Sequence, residues 1–400
     1  MNERISIPDS LNKSLIALMG VGLAVFVLGL FFAPERIWAN FLIGEFYIMS
    51  LGLGAGVFIA LQYVSGAAWG TAYRRIPEAM TGILPYALVG VLVLIFGIHS
   101  LYEWSHPSVV AEDALLQMKS PYLNVTFFVG RLIFYIIGWI FLSRKIAGHS
   151  RKQDEDGRVE HTHTNVKYSA ALLVFGAITF SFASIDLLMS LQPHWYSTVF
   201  GFLTLSGMFL NILAVVTIFA VILRWLGYEH IVTKDHLHDL GKWIMAMSVF
   251  WVYMWVSQHL LIWYSNIPEE TSYYIFRHFG GWGSLSFLNL MLNWLIPFVV
   301  LLPKSTKRND KILLQVGLVV MLGHWLDLYI MVMPVTFGET PLLGIWEIGL
   351  IPGMIALFFW VTFRGLERYN PIPVNDPYLV ESLPESQLPE ERHIESGSLA

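Results

Sequence analysis

Val199 to Leu223 reads VFGFLTLSGMFLNILAVVTIFAVIL, 25 residues without one Asp, Glu, Lys, Arg or His. As a helix rising 1.5 Å per residue it is roughly 37 Å long, more than the hydrocarbon thickness of about 30 Å that a membrane span must cross. The whole chain has the same character. Of its 400 residues 56% are hydrophobic, 15% aromatic and 13% charged, whereas soluble domains carry about 25% charge. Nine further apolar runs fit the same template: Leu15 to Phe32, Glu45 to Ala68, Thr81 to Leu101, Tyr122 to Leu142, Tyr168 to Leu191, Trp243 to Tyr264, Trp282 to Leu302, Leu313 to Met333 and Leu343 to Phe363. The expectation is an all-α integral membrane protein of ten spans, with no room for a sizeable soluble domain.

The domain plan follows from these runs. Residues 1–14 form the N-terminus, 15–364 the membrane domain, and 365–400 a proline-rich acidic tail. Between Asn370 and Ala400 lie six acids (Asp376, Glu381, Glu385, Glu390, Glu391, Glu395) and one base (Arg392), which hold the entire net charge of −5. With five prolines, the tail reads as an extended solvated segment or a partner-wrapping strap. Orientation comes from the bases: 20 of the 24 Lys and Arg lie in the two termini and alternate connections, against Arg36, Lys119 and Arg277 in the opposite set. The positive-inside rule then places both termini on the cytoplasmic side of the membrane. The first span is expected to stay in place rather than be cleaved as a signal peptide, because nine later spans depend on its orientation.

Two stretches match after an interval. Asp186-Leu187 is followed, after five residues, by Pro193; Asp327-Leu328 is followed in the same way by Pro334. His99 precedes Trp104 and Pro107 much as His259 precedes Trp263 and Pro268. The pattern predicts a parallel repeat of two four-helix bundles, spans 2–5 (about 41–191) and spans 6–9 (about 198–334), flanked by spans 1 and 10. Gly52, Gly54 and Gly56 in span 2 predict close helix approach; at that depth they have no nucleotide role, and nothing points to nucleic acid.

Ionisable residues inside spans are costly, about 2.5–3.5 kcal/mol each at the bilayer centre. Glu45, His99, Glu103, Asp186, His259, Asp327 and Glu347 fall in the outer half, with Arg131 and His324 nearer the middle. His99 with Glu103, and His324 with Asp327, have spacings that put each pair on one helix face. Two readings stand side by side: helix-end residues and packing pairs such as Arg131 with Asp186, or an outward-opening polar cavity that takes protons from quinol oxidation. On the inner side only neutral groups are available, such as Tyr168, Thr179, Asn211 and Thr217. The absence of cysteine excludes disulfides, cysteine-ligated iron–sulfur clusters and CxxCH haem attachment in this chain. His99, His259 and His324 could supply at most one haem ligand pair, short of a di-haem cytochrome b. His161 and His163 sit in a charged loop and read as solvated, so no metal site and no catalytic residue is expected.

Ser184–Gly201, SIDLLMSLQPHWYSTVFG, resembles the signature of the F-type membrane subunit of alternative complex III, a relative of the polysulfide reductase NrfD-like membrane subunits. Trp263–Thr271, WYSNIPEET, is a second match. The resemblance implies a ten-span subunit of a quinol:cytochrome c or other quinol:electron-acceptor oxidoreductase. Its partners would be a second, NrfD-like ten-helix subunit, an iron–sulfur subunit, a multihaem cytochrome c subunit and small membrane subunits. It implies proton conduction or contact with a quinone, menaquinol or ubiquinol, without a covalently bound cofactor. Leu187, where the family commonly has an aromatic, and Gln192, where it commonly has an acid, depart from the pattern; the change at Gln192 removes a proton group from the outer edge but leaves Asp186. A structural scaffold subunit and a stand-alone proton-coupled transporter are the alternatives from other classes.

Overall fold

A computed structural model describes residues 4–278, 280–338 and 340–383. The end of the acidic tail, from Pro384 through Glu385, Glu390, Glu391, Arg392 and Glu395, lies outside the described residues. Among the described residues all regular elements are helical, and ten helices are long and apolar enough to cross a membrane. They are α1 (Asp9–Phe32), α2 (Pro34–Ser65), α3 (Thr71–Leu101), α4 (Val125–Asp156), α5 (Glu160–Leu191), α6 (Phe200–Trp225), α7 (Lys234–Ser265), α8 (Trp282–Val300), α9 (Asp310–Phe337) and α10 (Ile345–Arg368).

Most helices outrun the apolar runs that mark them. α4 continues 14 residues past Leu142 through a charged stretch, carrying Gly148 within the helix, until Gly157, whose left-handed φ of 68° ends it. Asn124 accepts from the Phe127 amide at its start, and Thr233 and Asn309 cap α7 and α9 in the same manner. α2 begins 11 residues before Glu45, since Arg36 and Asn40 hide a helical segment from a hydropathy reading.

Burial sorts the helices. In α2, α6 and α9, 94, 89 and 78% of the most apolar stretch is buried, against 17% in α1 and 28% in α7 and α8. These three central helices pack on one another. Around α2 lie α3 and α5, with α4 on both; around α6 and α9 lie α7 and α8; α5 meets α6, and α10 packs on α1, α2 and α3. The span 2 glycines explain the crowding: a Cβ on Gly52 would meet Ile83 and Leu84 of α3, one on Gly54 would meet Ile212 and Met208 of α6, and one on Gly56 would meet Ser143 of α4 and Leu172 of α5. Each glycine admits a different neighbour. The outer helices turn large apolar side chains outward, among them Phe31, Phe96, Phe134 and Leu261.

Contacts between connections define two ends. At one end, Arg75 pairs with Glu78 and with Asp154 of α4, and Arg308 pairs with Asp235. At the other, Arg36 pairs with Glu347, Lys119 donates to Pro193 O, and Trp195 donates to Glu270 O. Of the two readings of the tail, a solvated segment or a strap, the first does not describe its first half. Residues 369–383 lie against the chain: buried Asp376 pairs with buried Arg74, Asn375 donates to Asp154 O, and His236 Nε2 donates to Ser382 O at 2.7 Å. A buried arginine needs partners for its charge and its donors, and for Arg74 Asp376 supplies the countercharge.

Candidate functional site

The nine ionisable residues singled out by sequence do not gather in one place. Three turn out to be struts. Asp186, fully buried in α5, receives Arg131 Nε at 3.0 Å and Nη2 at 2.8 Å, a bidentate pair. The guanidinium also donates to Tyr122 O and lies 3.8 Å from the Tyr122 ring and 4.3 Å from that of Phe127. Glu347 is equally satisfied: it accepts from Arg36 at 2.8 and 2.6 Å, from Asn40 at 2.8 Å and from the Gly344 amide at 2.8 Å, locking the start of α10 to α2.

His99 and Glu103 do not share a helix face. The helix ends at Leu101, Tyr102 is extended, and both residues are exposed. His99 bonds Ser105 Oγ through Nδ1, and its carbonyl accepts from His106. Trp104 and Tyr102 cause the break, turning inward to donate to Ser190 O and Leu187 O.

Two of the remaining residues, Asp327 and His324, form an incompletely bonded set in the interior with asparagines and a tyrosine. Asp327 accepts from Asn289 Nδ2 at 2.7 Å, and Asn293 Nδ2 in turn donates to Asn289 Oδ1 at 2.6 Å. The two asparagines are four apart on α8, where a π-helical turn spans Met291–Leu295; such turns often mark functional positions. Asn293 lies against Gly323, where a Cβ would fall 2.8 Å from its Oδ1. The next residue is His324, whose ring is 5.4 Å from that of Tyr47 and whose Nε2 is buried without a partner. The Tyr47 hydroxyl is 3.2 Å from both Asn211 Oδ1 and Met321 O, and Asn211 Nδ2 is unpartnered. Central α2, α6 and α9 thus meet at a polar cluster.

Glu45 stands apart. It is fully buried, both carboxyl oxygens lack a partner, and a Cβ on Gly90 of α3 would overlap its carboxyl group. A lone ionised carboxylate is costly there, so Glu45 is suited to hold and release a proton. Toward the base-rich end, Ser143, Asn165 and Ser169 are buried with unpartnered side-chain polar atoms. Of the neutral inner groups expected from sequence, Thr217 is satisfied by Leu213 O, Thr179 by Phe175 O and Trp139 Nε1, and Tyr168 stacks on His149; only Asn211 joins the cluster.

Beside Asp327 a cavity of about 30 Å³ is lined by Asn289, Tyr274, Arg277, His278 and Trp255. It has room for one or two waters, which need about 15 Å³ each, and is far below the roughly 300 Å³ of small-ligand pockets. A quinone ring does not fit it. Arg277 is buried and donates to Ile330 O, Met331 O and Gln192 Oε1; among the described residues no carboxylate lies within ion-pair distance. Burial pulls its pKa down. Asp327 faces the same cavity, so water can bridge the two charges. His259 lies alongside: its Nδ1 is 3.2 Å from His278 Nε2, with Trp255 stacked on its ring. Burial, then the neighbouring His259 and Arg277, push the His278 pKa below the usual histidine value.

The chain matches no protein-family model and no curated protein. Its chemistry is therefore carried by its own geometry. Asn289 and Asn293 carried a legible sequence signal, two amides at helical spacing in an apolar run; Arg277 and Tyr47 carried none. Among the described residues no group of three or more His, Asp or Glu is arranged to hold a metal.

Proposed function

We propose that the ten helices cross a bacterial inner membrane with both termini cytoplasmic, arranged as two four-helix bundles (α2–α5 and α6–α9) flanked by α1 and α10. The chain serves as a proton-conducting membrane subunit of a quinol:electron-acceptor oxidoreductase of the alternative complex III type. It carries no redox cofactor of its own. Electrons travel through iron–sulfur and multihaem cytochrome c partners beside a second ten-helix subunit.

One observation carries the proton reading: the buried line from Asp327 through Asn289 and Asn293 to His324, Tyr47 and Asn211. Buried polar groups are nearly always bonded, and here two, His324 Nε2 and Asn211 Nδ2, are not. The line begins at a water-sized cavity, and amides, hydroxyls and imidazoles with open bonding positions are the groups along which ordered water hands protons. The two motifs at Ser184–Gly201 and Trp263–Thr271 support the oxidoreductase assignment, and the outward apolar surface supports the membrane assignment.

The scaffold reading is favoured for one part of the molecule. Asp186 with Arg131 and Glu347 with Arg36 are closed pairs with no open bonding positions, so their work is holding helices together.

Tagging the chain in its native membrane, solubilising it mildly and assaying what co-purifies tests the proposal. The expected result is an assembly with c-type haem absorbance and quinol oxidation, whose proton release drops in Asp327→Asn. A chain that purifies alone and takes up a substrate with protons would overturn it.

A further inference from the structure

At the base-rich end α3 is flanked by α4 and α10, which leave between them a groove of about 840 Å³, within the size range of ligand sites. Five arginines line it: Arg4, Arg144, Arg151, Arg364 and Arg368. Only two acids do, and both are engaged, Glu78 with Arg75 and Glu367 with Arg364. Among the described residues neither Arg144 nor Arg368, both exposed, has an ion pair or a side-chain hydrogen bond. Arg151 lies over the Tyr369 ring at 3.6 Å with its Nε buried and unpartnered. Ser143, 3% exposed, adds a hydroxyl with no partner to the wall.

Apart from Thr81, the rest of the lining is largely apolar. Pro85, Tyr86, Ile140 and Val361 extend from the arginines toward the middle of the helices, and Tyr86 is 44% exposed on the outer surface of α3. The charge thus sits at the helix ends and the apolar wall runs inward from it, the order of a phosphate headgroup followed by acyl chains. Basic pockets between helices on the cytoplasmic side suit such lipids. A quinone, neutral at its ring, gives no use to five arginines.

We propose that this groove is a binding site for an anionic phospholipid, its phosphate held by Arg144, Arg151 and Arg368 and its chains laid along Tyr86, Ile140 and Val361. The site rests on the membrane reading of the helices but is independent of proton conduction and of the complex.

The test uses full-length protein purified in mild detergent, with bound lipid counted by native mass spectrometry against added phosphatidylglycerol, cardiolipin or phosphatidylcholine. Wild type retains the anionic lipids and not phosphatidylcholine. Each arginine near an anionic surface is worth about fivefold in affinity, so R144Q/R368Q weakens binding about 25-fold. Arg144 and Arg368 are exposed, so their loss leaves folding intact. Gly82→Leu provides an uncharged second variant: a Cβ there meets only Val361, at 3.4 Å, and the longer side chain fills the groove and expels lipid with all five arginines kept. Equal retention of phosphatidylcholine, unchanged binding in R144Q/R368Q, or displacement of the lipid by millimolar inorganic phosphate would overturn the proposal, the last by making the site one for a bare anion. Failure of the membrane reading is separately visible as chain recovered from the soluble fraction.

Discussion

Asp186 of α5 and Asp327 of α9 each lie seven residues before a proline, yet their surroundings are opposite. Asp186 faces Arg131 from α4, a full countercharge with two hydrogen bonds. Asp327 faces Asn289 from α8, which offers one bond and no charge, and a water-sized cavity in place of the rest. The nearest arginine of the second half, Arg277, sits on backbone carbonyls across that cavity. Repetition of a residue therefore does not repeat its role. The partner on the adjacent helix decides whether a buried acid braces the fold or is left open to a water-sized cavity.

The comparison can be broken most sharply at Arg131. Arg131→Gln strands a buried carboxylate and is expected to cost about 3–5 kcal/mol, read as lost unfolding stability in detergent, with R131Q/D186N recovering most of it. If R131Q alone is as stable as wild type, Asp186 is not a strut. Asp327→Asn should do the reverse: stability stays within about 1 kcal/mol, while proton release by the assembled complex in vesicles falls about a hundredfold, the scale on which a positioned proton-transfer group acts. Matching phenotypes for D186N and D327N would abolish the distinction. Asn289→Ala removes the hydrogen bond to buried Asp327 and should cost about 1–2 kcal/mol in the same unfolding measurement.

The smallest effect concerns His278. Its folded pKa is depressed by burial and by His259 and Arg277, so folding favours the neutral form and the unfolded chain binds the extra proton. Stability is then complete above the unfolded value of about 6.5 and declines as pH falls below it. Melting temperatures measured from pH 8 to 5 should fall less steeply in His278→Gln than in wild type, and an unchanged slope would show that His278 does not titrate with unfolding.

The helices were legible because an apolar run of about 20 residues has one physical use, and the glycines of α2 because only close approach explains three of them in one apolar helix. Asp186 and Asp327 were legible as buried acids for the cost of putting them there. Their division was not, since Arg131 and Asn289 lie 55 and 38 residues away in sequence, and side-chain pairing between helices leaves no local pattern. His99 and Glu103 misled for a local reason: a spacing of four implies a shared face only where the helix continues, and the inward turn of Tyr102 and Trp104 ends it. The tail misled for a global one. Its acids and prolines describe a solvated segment, but Arg74 gives Asp376 a reason to be buried.

That strap has a consequence for the order of assembly. Residues 369–383 bind the start of α3 through Arg74, the end of α4 through Asp154 and the start of α7 through His236. All three are synthesised long before the strap, and domains form from the N-terminus as the chain emerges. Arg74 must wait, buried or hydrated without its acid, until nearly the whole chain has been made. The strap thus acts as a late latch: a chain truncated before Asn370 would possess every helix and still lack the closure that joins its early and middle segments.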